Sequence, residues 1–379
     1  MKKMIFCILS IIPLITGCSG IYSNFRELEQ IRVIQTMGID CIPGGVRLSL
    51  ASASAANSDD NALCLSGTGS SVSEALEHIR SSSGQDDLFL SHVKRIIIGE
   101  EAAKRGIGDS LSYICRSPDL RIDTPVFIAK ARSAEEIMSG CSSDKKGISE
   151  IFQALESNEN QHNSRIITAS EIINSLSKNN GSPVCCVEYR KSSEESENSD
   201  ESSMTAILSG YAVFKGDRLT AFIDSDNAEG ADILLNRTGI SDITVSDSKG
   251  RPVSLEINSG SCSTAPVLDE DDRLCGIDVN IDVNATVLEL SDEEQLSAEA
   301  LEDYLISKLE SEISSRAAYV LQLSRKLQTD FLGLSGRLSR SSPVKLHDIS
   351  DNFEELLPLL ELRISVHGEL CHTNDLKDS

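Results

Sequence analysis

Residues 277–284 read IDVNIDVN, the most regular pattern in the chain. Apolar side chains alternate here with Asp and Asn, which is the period of a strand with one buried and one solvated face. The alternation continues beyond this stretch, so we predict a strand over Ile277–Leu290. The long helix and the closing strand predicted for the C-terminal half follow this strand in the sequence.

A long helical stripe follows the strand. Ser291–Glu294 is a capping-box sequence, which is typical of a helix start. Apolar residues then recur every three or four positions: Leu301, Leu305, Leu309, Ile313, Ala317, Val320, Leu323, Leu327 and Phe331. About thirty residues make a helix of roughly 45 Å, long enough to cover a sheet or a partner. We expect it to stop at Gly333 and Gly336, and Leu359–Leu370 alternates again as a closing strand.

Strand and helix patterns alternate in the N-terminal half. Strands are predicted at Val46–Ser54, within Phe89–Gly99, and at Val126–Ala131, Val184–Tyr189, Ala206–Phe214 and Arg218–Ile223. The last two form a hairpin around Lys215-Gly216-Asp217. Helices are predicted at Glu27–Gly38, from Val72 with Ser71 as N-cap, at Glu100–Cys115, and at Glu150–Leu176.

These elements predict an α+β protein of two to three subdomains, each a mostly antiparallel or mixed sheet flanked by helices, with one long C-terminal helix. We expect a lipoprotein signal peptide at 1–17, an N-terminal domain at 18–190, and a C-terminal domain at 205–371 with a subdivision near 262–275. The two domains are separated by 191–204, where the run KSSEESENSDESS has no apolar residue. Such a run cannot bury enough surface to offset its ordering entropy, so we predict a disordered loop.

The N-terminus carries the features of a lipoprotein signal. Lys2 and Lys3 precede a short apolar run that ends in Ile15-Thr16-Gly17-Cys18. An apolar residue, two small residues and Cys form the lipobox of bacterial lipoproteins, whose Cys thiol receives diacylglycerol before cleavage. We therefore predict lipidation at Cys18 and membrane attachment through acyl chains such as palmitate, since two chains anchor a protein stably. The alternative is an ordinary secretory signal with a chance Cys.

Composition excludes some partners. The formal charge is −24, and removal of the two leader lysines would make it −26. So acidic a surface repels nucleic acid, so we expect no nucleic-acid partner. Aromatic residues are 4% of the chain and Trp is absent, which argues against an aromatic-lined pocket.

No catalytic or metal constellation can be found. Apart from Cys7 and Cys18, nine cysteines are scattered without a C-x-x-C pair: Cys41, Cys64, Cys115, Cys141, Cys185, Cys186, Cys262, Cys275 and Cys371. We interpret most as small buried hydrophobes, with one or two disulfides left open. The histidines are dispersed, and His92 is interpreted as a core imidazole. We predict no catalytic residue, no metal site and no cofactor.

Three weaker patterns in the sequence resemble ligand-binding or catalytic motifs. The turn Gly67–Ser71 could cradle a phosphate at a helix N-terminus, but it lacks a P-loop Lys, so an ordinary turn is favoured. The acidic run Asp269–Asp272 lacks the alternating ligands of an EF-hand and is interpreted as a solvated loop. S-x-x-K matches such as those at 142, 143, 175 and 342 are attributed to the many serines of the chain.

Three ordered groups of motifs behind the lipobox resemble one family. The first is RELE at 26–29 with MGID at 37–40. The second is SEAL at 73–76, LSHVK at 90–94, IGEE at 98–101, AKRGI at 103–107, RSPD at 116–119 and RIDT at 121–124. The third is SGYAVFKGDRL at 209–219. Together they are similar to the Ger(x)C family, the lipoprotein C subunits of spore germinant receptors. The chain departs from the family in having Phe222 and Phe353 where tryptophans are common.

The resemblance implies a role in spore germination. It implies assembly with two membrane-spanning receptor subunits, of A and B type, on the outer face of the spore inner membrane. The complex would couple nutrient sensing to germination, and nutrient binding would fall to the partner subunits. The motif residues are interpreted structurally: Gly38, Gly99, Gly106 and Gly216 as positions of positive φ, and Asp123 and Asp217 as bonded to local backbone or a neighbouring Arg. Two rival functions are a solute-binding lipoprotein of an importer and a lipid-anchored hydrolase.

Overall fold

The structure is a computed structural model that describes residues 31–52, 64–82, 87–142, 147–157, 164–191, 204–289, 298–344, 346 and 349–371. These residues form two sheets, one of ten strands and one of four, with helices packed against both. The α+β fold class predicted from the sequence is confirmed.

The first sheet contains ten strands: β1 (Ile31–Ile42), β2 (Gly45–Ser52), β3 (Cys64–Gly69), β4 (Asp87–Phe89), β5 (Arg95–Gly99), β6 (Pro125–Ala129), β7 (Ile167–Thr168), β8 (Gly181–Lys191), β9 (Met204–Lys215) and β10 (Arg218–Ile223). Their order is β10-β9-β8-β6-β5-β1-β2-β3, with β4 beside β1 and β7 beside β6. The centre is parallel, because β8, β6, β5 and β1 run in one direction.

Helices cover both faces of this parallel centre. They are α1 (Val72–Ser82), α2 (Glu100–Arg105), α3 (Gly108–Arg116), α4 (Ala134–Ser142), α5 (Gly147–Ser157) and α6 (Ala169–Asn179). All five residues of β5 are buried. Ile96 and Ile98 belong to the core on one face, and Ile97 belongs to the core on the other. Strands buried on both faces are typical of parallel sheets.

The prediction of a helix over Glu27–Gly38 is wrong within the described residues. Residues from Ile31 onward form β1, which pairs with β2 on one side and β5 on the other. Ile34 and Met37 are three residues apart, as on a helix face, yet both belong to one core, because the pairing with β2 shifts register between Ile34 and Thr36. The strand predicted at Val46–Ser54 is confirmed as β2 within the described residues, which here end at Ser52.

Two long helix predictions are each divided in the structure. Glu100–Cys115 is two helices, because the backbone turns at Gly106, where φ is +135°. Glu150–Leu176 is also interrupted, since α5 ends at Ser157 and α6 begins only at Ala169 after the short strand β7. The α6 start carries a capping box between Thr168 and Glu171.

The second sheet contains β11 (Ser241–Ser246), β12 (Pro252–Leu268), β13 (Leu274–Glu289) and β14 (Glu361–Cys371), in that order. The predicted strands at Ile277–Leu290 and Leu359–Leu370 are confirmed as β13 and β14. On β13, Ile277, Val279, Ile281 and Val283 are buried, whereas Asn280 and Asp282 are exposed. The buried face of β13 packs on α8 (Ala298–Leu327), the predicted long helix.

The predicted stop of this helix at Gly333 is wrong. Helix α8 ends at Leu327, and Gln328 adopts a left-handed conformation with φ of +51°. Gly333, with φ of +68°, is instead the N-cap of a further helix, α9 (Leu334–Ser341). A short helix α10 (Phe353–Leu356), flanked by the 3-10 turns Ile349–Asp351 and Leu357–Leu359, leads into β14.

The two sheets share one hydrophobic core. Helix α7 (Ser225–Leu234) follows β10 and lies between them. Tyr211 and Val213 of β9 therefore belong to the same core as the inward residues of β13 and α8. None of the described helices is long and apolar enough to cross a membrane.

Candidate functional site

Several predictions fall outside the described residues. These are the lipidation residue Cys18, the capping-box sequence Ser291–Glu294 and nearly all of the acidic run 191–203. The lipidation of Cys18 and the division into domains therefore stay predictions. The ten-stranded sheet includes β9 and β10, which lie beyond the acidic run.

The described residues contain no group of three or more His, Cys, Asp or Glu that could hold a metal ion. Cys186, next to Cys185 on β8, is fully buried, and this burial raises the pKa of its thiol well above the usual value. A thiol held protonated is a poor nucleophile. His92 is exposed, and its ring lies tilted against that of Phe89 with centroids 5.4 Å apart, so its interpretation as a core imidazole is wrong.

Asp40 closes the MGID motif and caps a distant helix. It lies at the carboxyl end of β1, and its carboxylate accepts the N–H groups of Ala134 (2.7 Å) and Glu135 (2.9 Å) at the start of α4. The first N–H groups of a helix have no partner within the helix, so this carboxylate satisfies two of them. Burial raises the pKa of Asp40, and the two N–H groups oppose this effect. The motif therefore fixes α4 onto the sheet.

At two motif positions glycine is required because neighbouring atoms leave no room for a Cβ atom, and not because the backbone has a positive φ. A Cβ atom on Gly38 would lie 2.5 Å from Sδ of Met138, and one on Gly99 would overlap the Asp40 carboxylate. Gly99 has φ of −64°, so the expectation of positive φ there is wrong. Gly38 is not among the residues of positive φ either. Gly106 and Gly216 do have positive φ, as predicted.

Asp217 in the hairpin turn performs a similar structural task. Its carboxylate accepts the N–H of Gly108 (3.3 Å), and its carbonyl accepts the N–H of Ile107 (2.8 Å). A Cβ atom on Gly106 would lie 2.6 Å from Oδ2 of Asp217. The AKRGI and FKGD motifs thus form one contact between the α2–α3 turn and the β9–β10 hairpin. Asp123 pairs with Arg121 at 2.7 Å, as expected.

A cluster of buried polar side chains lies between the two sheets. We call it the polar junction: Tyr211 on β9, Glu229 and Asp232 on α7, Arg316 on α8, and Arg165 before β7. The Tyr211 hydroxyl donates to Asp232 and accepts the N–H of Arg165. Tyr211, Glu229 and Asp232 are at most 4% exposed.

Burial sets the protonation of the polar junction. It raises the pKa of Asp232 well above its usual range and raises that of Glu229, although Arg165 lies near both carboxyls and opposes the change. The pKa of the Tyr211 hydroxyl is also raised, by burial and by the adjacent Asp232. A substrate has no access to such buried groups. The hydrogen bond between Tyr211 and Asp232 therefore holds α7 against the ten-stranded sheet.

The remaining candidates are ordinary turns. Gly67–Ser71 leads from β3 into α1, where the Ser71 hydroxyl accepts the N–H of Glu74 as predicted. Asp269 accepts the N–H groups of Asp271 (2.9 Å) and Arg273 (2.8 Å) within the β12–β13 turn. In both turns these side chains thus accept hydrogen bonds from nearby backbone N–H groups.

Comparison with known families agrees with this arrangement. Residues 24–187 match the spore germination protein N-terminal domain, and residues 209–374 match the C-terminal domain described as spore germination B3/GerAC like. The chain belongs to the GerAC-like family of spore germination proteins. The Ger(x)C resemblance is thereby confirmed. The family is one of receptor subunits and is not a known enzyme family.

A solved structure supports the fold. The crystal structure of the GerBC protein aligns with a TM-score of 0.57 over 89% of this chain and 97% of that chain. The sequences are 13% identical over the alignment, so the similarity concerns the fold alone. No curated protein sequence matches the chain.

Proposed function

We propose that this protein is the lipoprotein C subunit of a spore germinant receptor. It would be anchored through diacylglycerol on Cys18 to the outer face of the spore inner membrane. There it would assemble with two membrane-spanning subunits, of A and B type, that bind the nutrient. The observation that carries the proposal is the ordered match of both family domains across the chain.

Two further observations support the anchor. The segment before the first matched domain ends in the lipobox Ile15–Cys18. No described helix can cross a membrane, so attachment by a lipid is the simplest route to the membrane. Two acyl chains give stable binding, whereas a single chain gives only marginal binding.

Surfaces, rather than a reactive centre, would carry the role of this subunit. The motif residues Asp40, Asp217 and Gly99 hold helices and turns in place instead of lining a cleft. A rigid scaffold of this kind suits docking between membrane-spanning partners. Its contribution to germination would be assembly and coupling.

The direct test is Cys18→Ala in the full gene, with spores assayed for nutrient-triggered germination. We expect the variant protein to leave the membrane fraction and the response to one class of nutrient to be lost, with vegetative growth unchanged. Cys7→Ala is the matched control, because that cysteine lies in the leader and is removed with it. A normal nutrient response in spores that lack the whole chain would contradict the proposal.

Co-purification tests the partners. Protein extracted in mild detergent from spores should carry two membrane-spanning proteins with it. If it instead carries the permease of an importer, and amino acids, sugars or nucleosides raise its melting temperature, the solute-binding alternative is supported. Labelling by serine- or cysteine-directed activity probes would support the hydrolase.

A further inference from the structure

The parallel strands give the molecule a defined end next to the proposed anchor. Strands β1, β5, β6 and β8 run in one direction, so their first residues lie at one end of the ten-stranded sheet, which we call the tethered end. Arg95 of β5 pairs with Thr36, so β1 begins five residues further out. Cys18 is thirteen residues before Ile31. Fully extended, these span about 45 Å at most.

Two exposed apolar side chains lie at this end. Phe89 on β4 pairs with Val33 in the outermost part of β1, and its side chain is 42% exposed. Ile122 lies three residues before β6 and is 51% exposed. Its carbonyl accepts the N–H of Ser170, which fixes the turn against the start of α6.

The second sheet contributes a third side chain at the tethered end. Leu359, 79% exposed, follows Pro358, whose carbonyl accepts Nη2 of Arg325 in the last turn of α8 (2.8 Å). Lys215 fixes that turn at the tethered end. Its Nζ donates to the Leu327 carbonyl (2.9 Å), and Lys215 itself pairs with Gly181, the first residue of β8. Leu359 therefore lies at the same end of the molecule as the strand starts.

We propose that the tethered end lies on the lipid bilayer, with Phe89, Ile122 and Leu359 inserted among the lipid headgroups. This rests on the proposed membrane anchor, because Cys18 precedes β1 in the chain and β1 begins at this end. The three side chains stand on separate turns. Each can enter between headgroups, as the apolar side chains of interfacial segments do.

The chain offers an unusually clean test, because it contains no Trp. Phe89→Trp, Ile122→Trp and Leu359→Trp each place a single fluorophore at the tethered end. The mature chain from residue 18 is tethered by a hexahistidine tag in place of residues 1–17 to phosphatidylcholine vesicles that carry a nickel-chelating lipid. This tether does not depend on acylation, so the docking is tested separately from the anchor. Neutral vesicles are used because the chain is strongly acidic.

Leu288→Trp is the matched control. Leu288 is 49% exposed on β13. Leu288 lies twelve residues beyond Gly276 on the same strand. Gly276 pairs with Glu361, which is two residues after Leu359 in the chain. At about 3.3 Å per residue this is roughly 40 Å from the tethered end.

We expect vesicles to shift the emission of the three tethered-end fluorophores to the blue. Lipids brominated on the upper acyl chain should quench them, because interfacial side chains reach about 5–10 Å into the headgroup and acyl boundary. The Leu288→Trp emission should not change. Emission that stays unchanged at all three positions overturns the proposal and leaves this end available to a protein partner. Equal changes at all four positions also overturn it, because the contact would then be non-specific.

Discussion

The two sheets bury their strands in different ways. The centre of the ten-stranded sheet is parallel and covered by helices on both faces, so neighbouring residues of β5 enter two different cores. The four-stranded sheet is covered by α8 on one face, so β13 alternates between core and solvent. The same chain therefore contains one region in which every strand position is structural and one in which every second position faces water.

The largest expected effect tests this difference directly. We predict that Ile96→Ala and Ile97→Ala each lower the free energy of unfolding by about 2–5 kcal/mol, because each removes buried methyl groups from a separate core. On β13, Ile281→Ala should have a similar effect. Asn280→Ala should change stability by less than about 0.5 kcal/mol, because Asn280 is exposed.

Urea unfolding of the four variants measures these values. If Ile96→Ala or Ile97→Ala leaves stability unchanged, one face of the parallel centre is loosely packed, and the proposed difference between the two sheets is wrong. That difference is also wrong if Asn280→Ala destabilises as much as Ile281→Ala.

A buried carboxylate caps a helix in each region, and the C-terminal one should show the larger effect. Asp330 accepts the N–H groups of Leu334 (2.7 Å) and Ser335 (2.9 Å) at the start of α9. Burial nevertheless raises its pKa from 3.8 to about 6. Ionisation therefore opposes folding: the penalty is absent below about pH 4 and complete above about pH 6. The change in pKa corresponds to about 3 kcal/mol at most.

Asp330→Asn should remove this pH dependence. The variant loses hydrogen bonds at every pH, which lowers its stability by a constant amount. Its stability relative to the parent chain should nevertheless rise as the pH rises from about 4 to about 6. Thermal or urea unfolding at several pH values gives the difference curve. A difference that is flat across this range would show that Asp330 titrates normally.

The contact of α7 with α8 connects the two regions and predicts the next effect. A Cβ atom on Gly230 would lie 2.6 Å from the backbone carbon of Arg316. Gly230→Ala should therefore destabilise the chain by about 1–3 kcal/mol, since backbone cannot move aside as a side chain can. Gly336→Ala in α9 is the matched control, because its nearest neighbour would be Nη1 of Arg340 at 3.6 Å. That change should be neutral or stabilising, owing to helix propensity.

The smallest effect concerns Asp40, the cap in the first region. Asp40→Asn keeps one acceptor oxygen for α4 and leaves one buried N–H unpaired, which should cost about 1–2 kcal/mol. Asp123→Asn serves as control, because the Asp123–Arg121 pair is exposed, and we expect no measurable change. Equal stability of the two variants would show that the MGID motif does not fix α4.

The difference between the regions also explains what the sequence could predict. The strands β13 and β14 and the β9–β10 hairpin are evident from the sequence, because their patterns or turns are local. The sequence of β1 predicts a helix, because a register shift between Ile34 and Thr36 places Ile34 and Met37 in the same core at a spacing of three. The end of α8 was misplaced at Gly333, since Gln328 adopts the left-handed conformation without being Gly or Asn.

The polar contacts could not be predicted in the same way. Asp40 and Ala134 are 94 residues apart in the chain, and Tyr211 and Arg165 are 46 apart. Spacing carries no signal for such pairs, although Asp40, Gly99 and Asp217 all lie within motifs that carry the family resemblance. Their role became clear only when the fold brought the partners together.

The intact mass of the mature protein from spores tests the central claim most directly. The account predicts a chain that begins at Cys18 and carries diacylglycerol on that cysteine. An unmodified Cys18, or a chain that begins at Met1, would contradict membrane anchoring and the receptor role built on it.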